Sequence, residues 1–130
     1  MRTIQPDGWK RPRGYSNGVA ARGEQIFIAG QIGWNEREEI VSANFAEQTA
    51  QALRNVVAVL HSAGAKPEHL VRMTWYVTDK REYAASAKHV GEAYREIIGS
   101  VYPAMTLVQV AGLLEDGAKV EIEATAVVPA

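Results

Sequence analysis

Between Val120 and Ala126 the chain alternates without a break, with Val120, Ile122, Ala124 and Ala126 on one side and Glu121, Glu123 and Thr125 on the other. A period of two is the mark of an extended strand with one face turned to a core. Glu121 and Glu123 then share the opposite face and need partners or water there. The stretch before it reads as a second strand. Pro103 ends whatever precedes it, because proline has no N–H and drives its neighbour out of helix. Leu107–Val110 suits a strand, and Leu113–Ala118 forms the connection, with Gly117 available for a positive φ.

Upstream, two helical periods are legible. Over residues 43–63, Ala46, Ala50, Leu53, Val57 and Leu60 recur at steps of four and three, with Ser42 or Asn44 as N-cap and Gly64 as the closing glycine. Asp79-Lys80-Arg81-Glu82 resembles a capping box and opens a second helix to about Ile98, with the stripe Tyr83, Ala87, Val90, Tyr94 and Ile97. Between them Leu70–Val77, rich in β-branched and aromatic residues, predicts a central strand. Tyr15–Ala21 and Gln25–Ala29 predict two more strands, with Arg22-Gly23-Glu24 as a hairpin turn. Residues 1–13, broken by Pro6, Gly8 and Pro12, read as an extended arm.

The order strand, strand, helix, strand, helix, strand, strand predicts an α+β fold, a mixed β-sheet with two helices on one face, in a single domain spanning residues 1–130. The second sheet face, to which the strands offer Trp75 or Tyr76, Met105, Leu107 and Val127, needs a cover, and self-association supplies one.

Composition excludes several classes. Lys and Arg number 14 against 15 Asp and Glu, a balance that argues against nucleic acid or an anionic membrane as partner. There is no cysteine, hence no disulfide, thiol nucleophile or thiolate metal site. His61, His69 and His89 are too scattered to read as metal ligands, and no serine sits in a GxSxG turn. The two glycines of Gly30-Gln31-Ile32-Gly33 lack the spacing of a dinucleotide loop. No cofactor or metal is implied. The longest aliphatic run, Val56–Leu60, is too short to cross a bilayer, and no signal peptide is visible, so a cytoplasmic protein is expected.

Pro103-Ala104-x-x-x-Val108-x-Val110 followed by Lys119-Val120-Glu121-Ile122-Glu123-Ala124 resembles the C-terminal signature of the RidA/YjgF reactive-intermediate deaminases. Gly14-Tyr15-Ser16-Asn17-Gly18 and Ile28-Ala29-Gly30-Gln31 match that family's early motifs in order. The resemblance implies the chorismate mutase-like (YjgF-like) fold, a homotrimer with a cleft at each subunit interface, and hydrolysis of enamines or imines to a carbonyl and ammonia. It implies Tyr15, Gly30, Thr106 and Leu107 as substrate-binding positions and Glu121 as the residue that positions or activates water.

The family's deaminases carry an arginine directly after the Pro-Ala pair, and here Met105 stands in its place. A guanidinium there grips a substrate carboxylate through two parallel charge-assisted bonds. Its loss costs ~2–5 kcal/mol by analogy with truncated ion pairs. Met105 therefore implies an altered substrate range, with Arg13, Arg22 or Arg72 as alternative sources of charge and Trp34 as a shaper of the cleft. The alternative to a deaminase is a non-catalytic trimer that binds a small metabolite or a protein partner in the same cleft. Ribonuclease activity, attached to some family members, gains little from the charge balance.

Overall fold

The strand announced by the alternation lies inside the sheet. In the computed structural model, which describes residues 1–130, the elements run β1 Arg2–Ile4, β2 Gly18–Ala20, β3 Glu24–Ile32, α1 Phe45–Ser62, a 3₁₀ turn at Pro67–His69, β4 Leu70–Val77, α2 Lys80–Ala85, α3 Ala87–Ile97, β5 Ala104–Gln109 and β6 Val120–Val128. The main sheet has the order β3-β6-β4-β5. β6 is antiparallel to both neighbours, and β4 and β5 are parallel. β3, β4 and β5 thus run one way, and β6 is inserted between β3 and β4. The mixed α+β architecture is the expected one. The two C-terminal strands are not a hairpin, however, because β4 separates them and the connection crosses its end.

Both helical segments cover one face. Ile122, Ala124 and Ala126 of β6, Met73, Trp75 and Val77 of β4 and Ile28 of β3 meet Leu53, Val56 and Leu60 of α1 and Val90 and Tyr94 of α3 in a single core. α1 begins at the predicted cap: Asn44 Oδ1 accepts the Glu47 N–H at 2.9 Å. Gly64 follows its end at φ 74°, the left-handed backbone that a helix-closing glycine adopts without strain. The buried stripe of α1 is Phe45, Gln48, Thr49, Ala52, Leu53, Val56 and Leu60, rotated from the expected one, with which it shares Leu53 and Leu60. Two polar residues sit inside that stripe. Gln48 Nε2 donates to Ser42 O at 2.8 Å and Gly117 O at 2.9 Å, while its Oε1 accepts the Lys119 N–H at 2.9 Å. Thr49 Oγ1 donates to Phe45 O at 2.9 Å. Their bonding capacity is met locally, so burial carries no desolvation penalty of the unpaired kind.

Three other expectations are corrected. The second helix is two helices, broken at Ser86, whose N–H donates to Glu82 O and Tyr83 O and whose carbonyl accepts the Val90 N–H. β2 pairs with β1 (Arg2↔Ala20) and not with β3. Gly23, at φ 146°, is pressed against the backbone of Val128, where a side chain would collide, so residues 21–23 pass the chain onward without forming a hairpin.

The third concerns the open sheet face. Register places Met105 beside Met73 and Ala124, and Leu107 beside Trp75 and Ile122. Neighbours in one row share a face, so Trp75, Met105 and Leu107 belong to the helix side. Of the alternatives Trp75 and Tyr76, it is Tyr76 that lies on the open face, with Arg72, Thr74, Glu121, Glu123 and Thr125, and with Phe27 72% and Val108 39% exposed. It is largely polar, and an apolar patch is not what marks it for association.

Candidate functional site

A cleft of about 500 Å³ opens on the helix side, between α2–α3 and the β5 edge of the sheet. Its floor is Met105 and Leu107, and its walls are aromatic. Trp75 lies 6.4 Å from Tyr83 at 78° and 6.4 Å from Tyr94 at 36°, and Tyr94 stacks on Tyr102 at 5.9 Å and 15°. Tyr15 closes one end. Its loop is tied to the start of β5, because Ser16 N donates to Pro103 O at 3.0 Å and Ser16 Oγ to Tyr102 O. Tyr94 Oη donates to Val101 O, and burial, with a smaller push from Tyr102, holds its phenol well above the ordinary tyrosine range. The indole N–H of Trp75 is buried without an acceptor.

The charged residues of the cleft are Arg13 and Arg95, and no carboxylate lines it. Neither arginine makes a salt bridge. Of the three arginines singled out in the sequence, Arg13 thus lines the same cleft as Met105. Arg72 instead lines a smaller hollow on the open face with Phe27, Thr74 and Glu123, and Arg22 lines neither. Trp34 lies half-buried outside both, its carbonyl accepting from Asn55 Nδ2 at 2.9 Å.

The six candidate residues fall into two groups. Tyr15, Met105, Thr106 and Leu107 line the cleft. Gly30 and Glu121 meet on the other side of the sheet, where Glu121 pairs with Tyr76 across the ladder. β3 is irregular between Ile28 and Gln31, which leaves Gly30 outside the pairing with β6, a bulge of the kind that re-aims backbone groups. A β-carbon on Gly30 would collide with the Glu121 carboxylate, so glycine is what lets the two touch. The two β6 carboxylates differ. Glu123 Oε1 accepts the Tyr76 hydroxyl at 2.7 Å, a bond that raises the Tyr76 pKa. Glu121 is half-buried, and no side-chain donor or cation reaches it.

The Endoribonuclease L-PSP family model matches residues 9–128. The chain belongs to the RidA/YjgF family. It is 38% identical over 130 residues to a RutC family protein of Aquifex aeolicus, covering 98% of this chain and 99% of that one. It is 37% identical over 105 residues to the 2-iminobutanoate/2-iminopropanoate deaminase of Escherichia coli K12, covering 81% and 80%. The crystal structure of the Rid-family protein YyfB from Yersinia pestis superposes with a TM-score of 0.86 at 32% identity, over 98% of each chain. The RidA/YjgF fold predicted from the motifs is therefore established.

Sequence reasoning missed Trp75, Tyr83, Tyr94, Tyr102 and Arg95 as cleft residues in this family member. Tyr83 and Tyr94 were visible as a helical stripe, but a stripe does not distinguish a filled core from the wall of a cleft. The histidines stay apart: His69 Nδ1 accepts the Lys66 N–H at 3.0 Å, and His89 lies 3.9 Å from Glu92 at the surface. No helix is long and apolar enough to cross a membrane.

Proposed function

We propose that this chain is a deaminase that hydrolyses reactive imines, or their enamine tautomers, to a carbonyl compound and ammonia, with a substrate range altered by Met105. The observation that carries the reading is Glu121, a half-buried carboxylate seated against a bulged glycine and free of any ion pair. A carboxylate with no competing partner is available to accept a proton from a bound water. Glu121 holds a water and takes its proton as the oxygen adds to the C=N carbon. The proton reaches the nitrogen, the tetrahedral adduct collapses, and ammonia leaves. Backbone N–H groups at Gly30 and Leu107 orient the ligand.

Because Glu121 and the Met105 cleft occupy opposite faces of their own sheet, we read the working site as one assembled between copies. The Glu121–Gly30 face of one subunit would meet the cleft of the next in a homotrimer, a closed symmetry that heterologous contacts readily form.

Replacing Glu121 by Gln is expected to lower imine and enamine hydrolysis by about 10²–10⁴, with the fold and thermal transition retained. Glu123→Gln should cost far less, because that carboxylate already serves Tyr76. Gly30→Ala should act like Glu121→Gln, since the new methyl displaces a flexible carboxylate and leaves the backbone in place. Initial rates across several imines and enamines, with circular dichroism as the fold control, decide it. Equal rates in wild type and Glu121→Gln would leave the second reading, a trimer that binds a small metabolite without turning it over. The absence of an arginine at position 105 favours that reading.

A further inference from the structure

We infer that the cleft takes 2-imino carboxylates bearing an aromatic or comparably large apolar side chain, and that Arg13 and Arg95 together hold the carboxylate. The inference rests on the deaminase reading for its chemistry, but its ligand class stands on the cleft alone.

Volume comes first. Pockets for small molecules span about 300–1,000 Å³, and the 500 Å³ here is room enough for an aromatic side chain. Lining comes second. Trp75, Tyr83, Tyr94 and Tyr102 present ring faces and edges, and such pairs favour offset or edge-to-face neighbours. Met105 adds a polarizable thioether that packs well against an aromatic ring. Charge comes third. Arg13 arrives from the loop before Tyr15 and Arg95 from the last turn of α3, both exposed, both without a carboxylate partner, in a cleft that has no acidic residue. Two unpaired guanidiniums over an apolar cavity are complementary to an anionic head on an apolar body.

The reaction balances without a further reactant. Water adds to the imine carbon, the C–N bond breaks, and the products are the aryl 2-oxo acid and ammonia. Carbon is neither oxidised nor reduced.

The test pairs turnover with binding. Imines are generated in situ by an amino-acid oxidase from phenylalanine and from 2-aminobutanoate, and their decay is followed by competition with a trapping amine. The phenylalanine-derived imine should show kcat/KM about tenfold or more above the short one, a ratio within reach of an apolar pocket. The Arg13→Ala/Arg95→Ala double variant should lose about a hundredfold in kcat/KM, mostly through KM, with partial recovery in the Lys/Lys variant. In parallel, calorimetry measures binding of phenylpyruvate and 2-oxobutanoate, the stable product-side acids. If no imine is hydrolysed but phenylpyruvate binds tightly and arginine-dependently, the ligand class holds and the deaminase reading fails. If short imines are hydrolysed as well as aromatic ones, or neither arginine matters to rate or binding, the ligand class is overturned while the deaminase reading survives.

Discussion

Tyr94 shows how one side chain serves packing and the cleft at once. It is 7% exposed, stacks on Tyr102, and donates its hydroxyl to Val101 O. Burial raises its pKa above the unfolded value of about 10. The folded state therefore holds this proton more tightly than the unfolded chain does. Its contribution to stability is whole below pH 10 and is lost as pH rises from there toward the folded pKa. Tyr94→Phe should cost about 1 kcal/mol at neutral pH for the missing hydrogen bond and should flatten the alkaline loss. Urea midpoints from pH 8 to 11 for both proteins test this. A wild-type slope unchanged in the variant would assign the alkaline loss to other groups.

At the scale of elements, Gln48 ties together segments that lie far apart in the chain. One amide holds Ser42 O, Gly117 O and Lys119 N, fixing the long β5–β6 connection to the first helix. Gly33 packs against the same residue, so closely that a β-carbon there would collide with it. Gln48→Leu keeps the volume and strands three backbone groups, and it should cost about 3–5 kcal/mol, read as a lower urea midpoint with faster hydrogen exchange at Lys119. No change at Lys119 would remove the clamp. Gln48 also marks where sequence reading reaches its limit. The period-two face of β6, the Asn44 cap, the Pro103 stop and the Gly117 turn were legible because each is a local constraint. The α1 stripe was misplaced because apolarity was taken as burial, and Gln48 and Thr49 are buried through bonds to residues that no local pattern reveals. Met105 and Leu107 were put on the wrong face, and the choice between Trp75 and Tyr76 stayed open, because strand parity fixes which residues alternate, not which set faces the helices. That choice is made by register with β6. Similarly, nothing in a linear reading says that the six family-matched positions divide between two sides of one sheet.

At the scale of the whole molecule, the open face should be where copies meet. It is polar, so its specificity would come from Arg72, Glu121, Glu123 and Tyr76, and Phe27, 72% exposed beside a small hollow, would be its apolar anchor. Light scattering should report three times the chain mass of 14.2 kDa, and Phe27→Asp should shift it toward the single chain. A monomer at micromolar concentration would remove the shared site along with the trimer.

The placement of Glu121 and Met105 on opposite sides of a sheet one strand thick bears on kinetics as well as geometry. If each active centre borrows half its parts from a neighbour, output per chain depends on how many chains are present. On dilution through the dissociation range, specific activity would fall faster than first order, and substrate able to bridge two copies would restore it. Protein concentration would then act as a control on turnover, with no effector required.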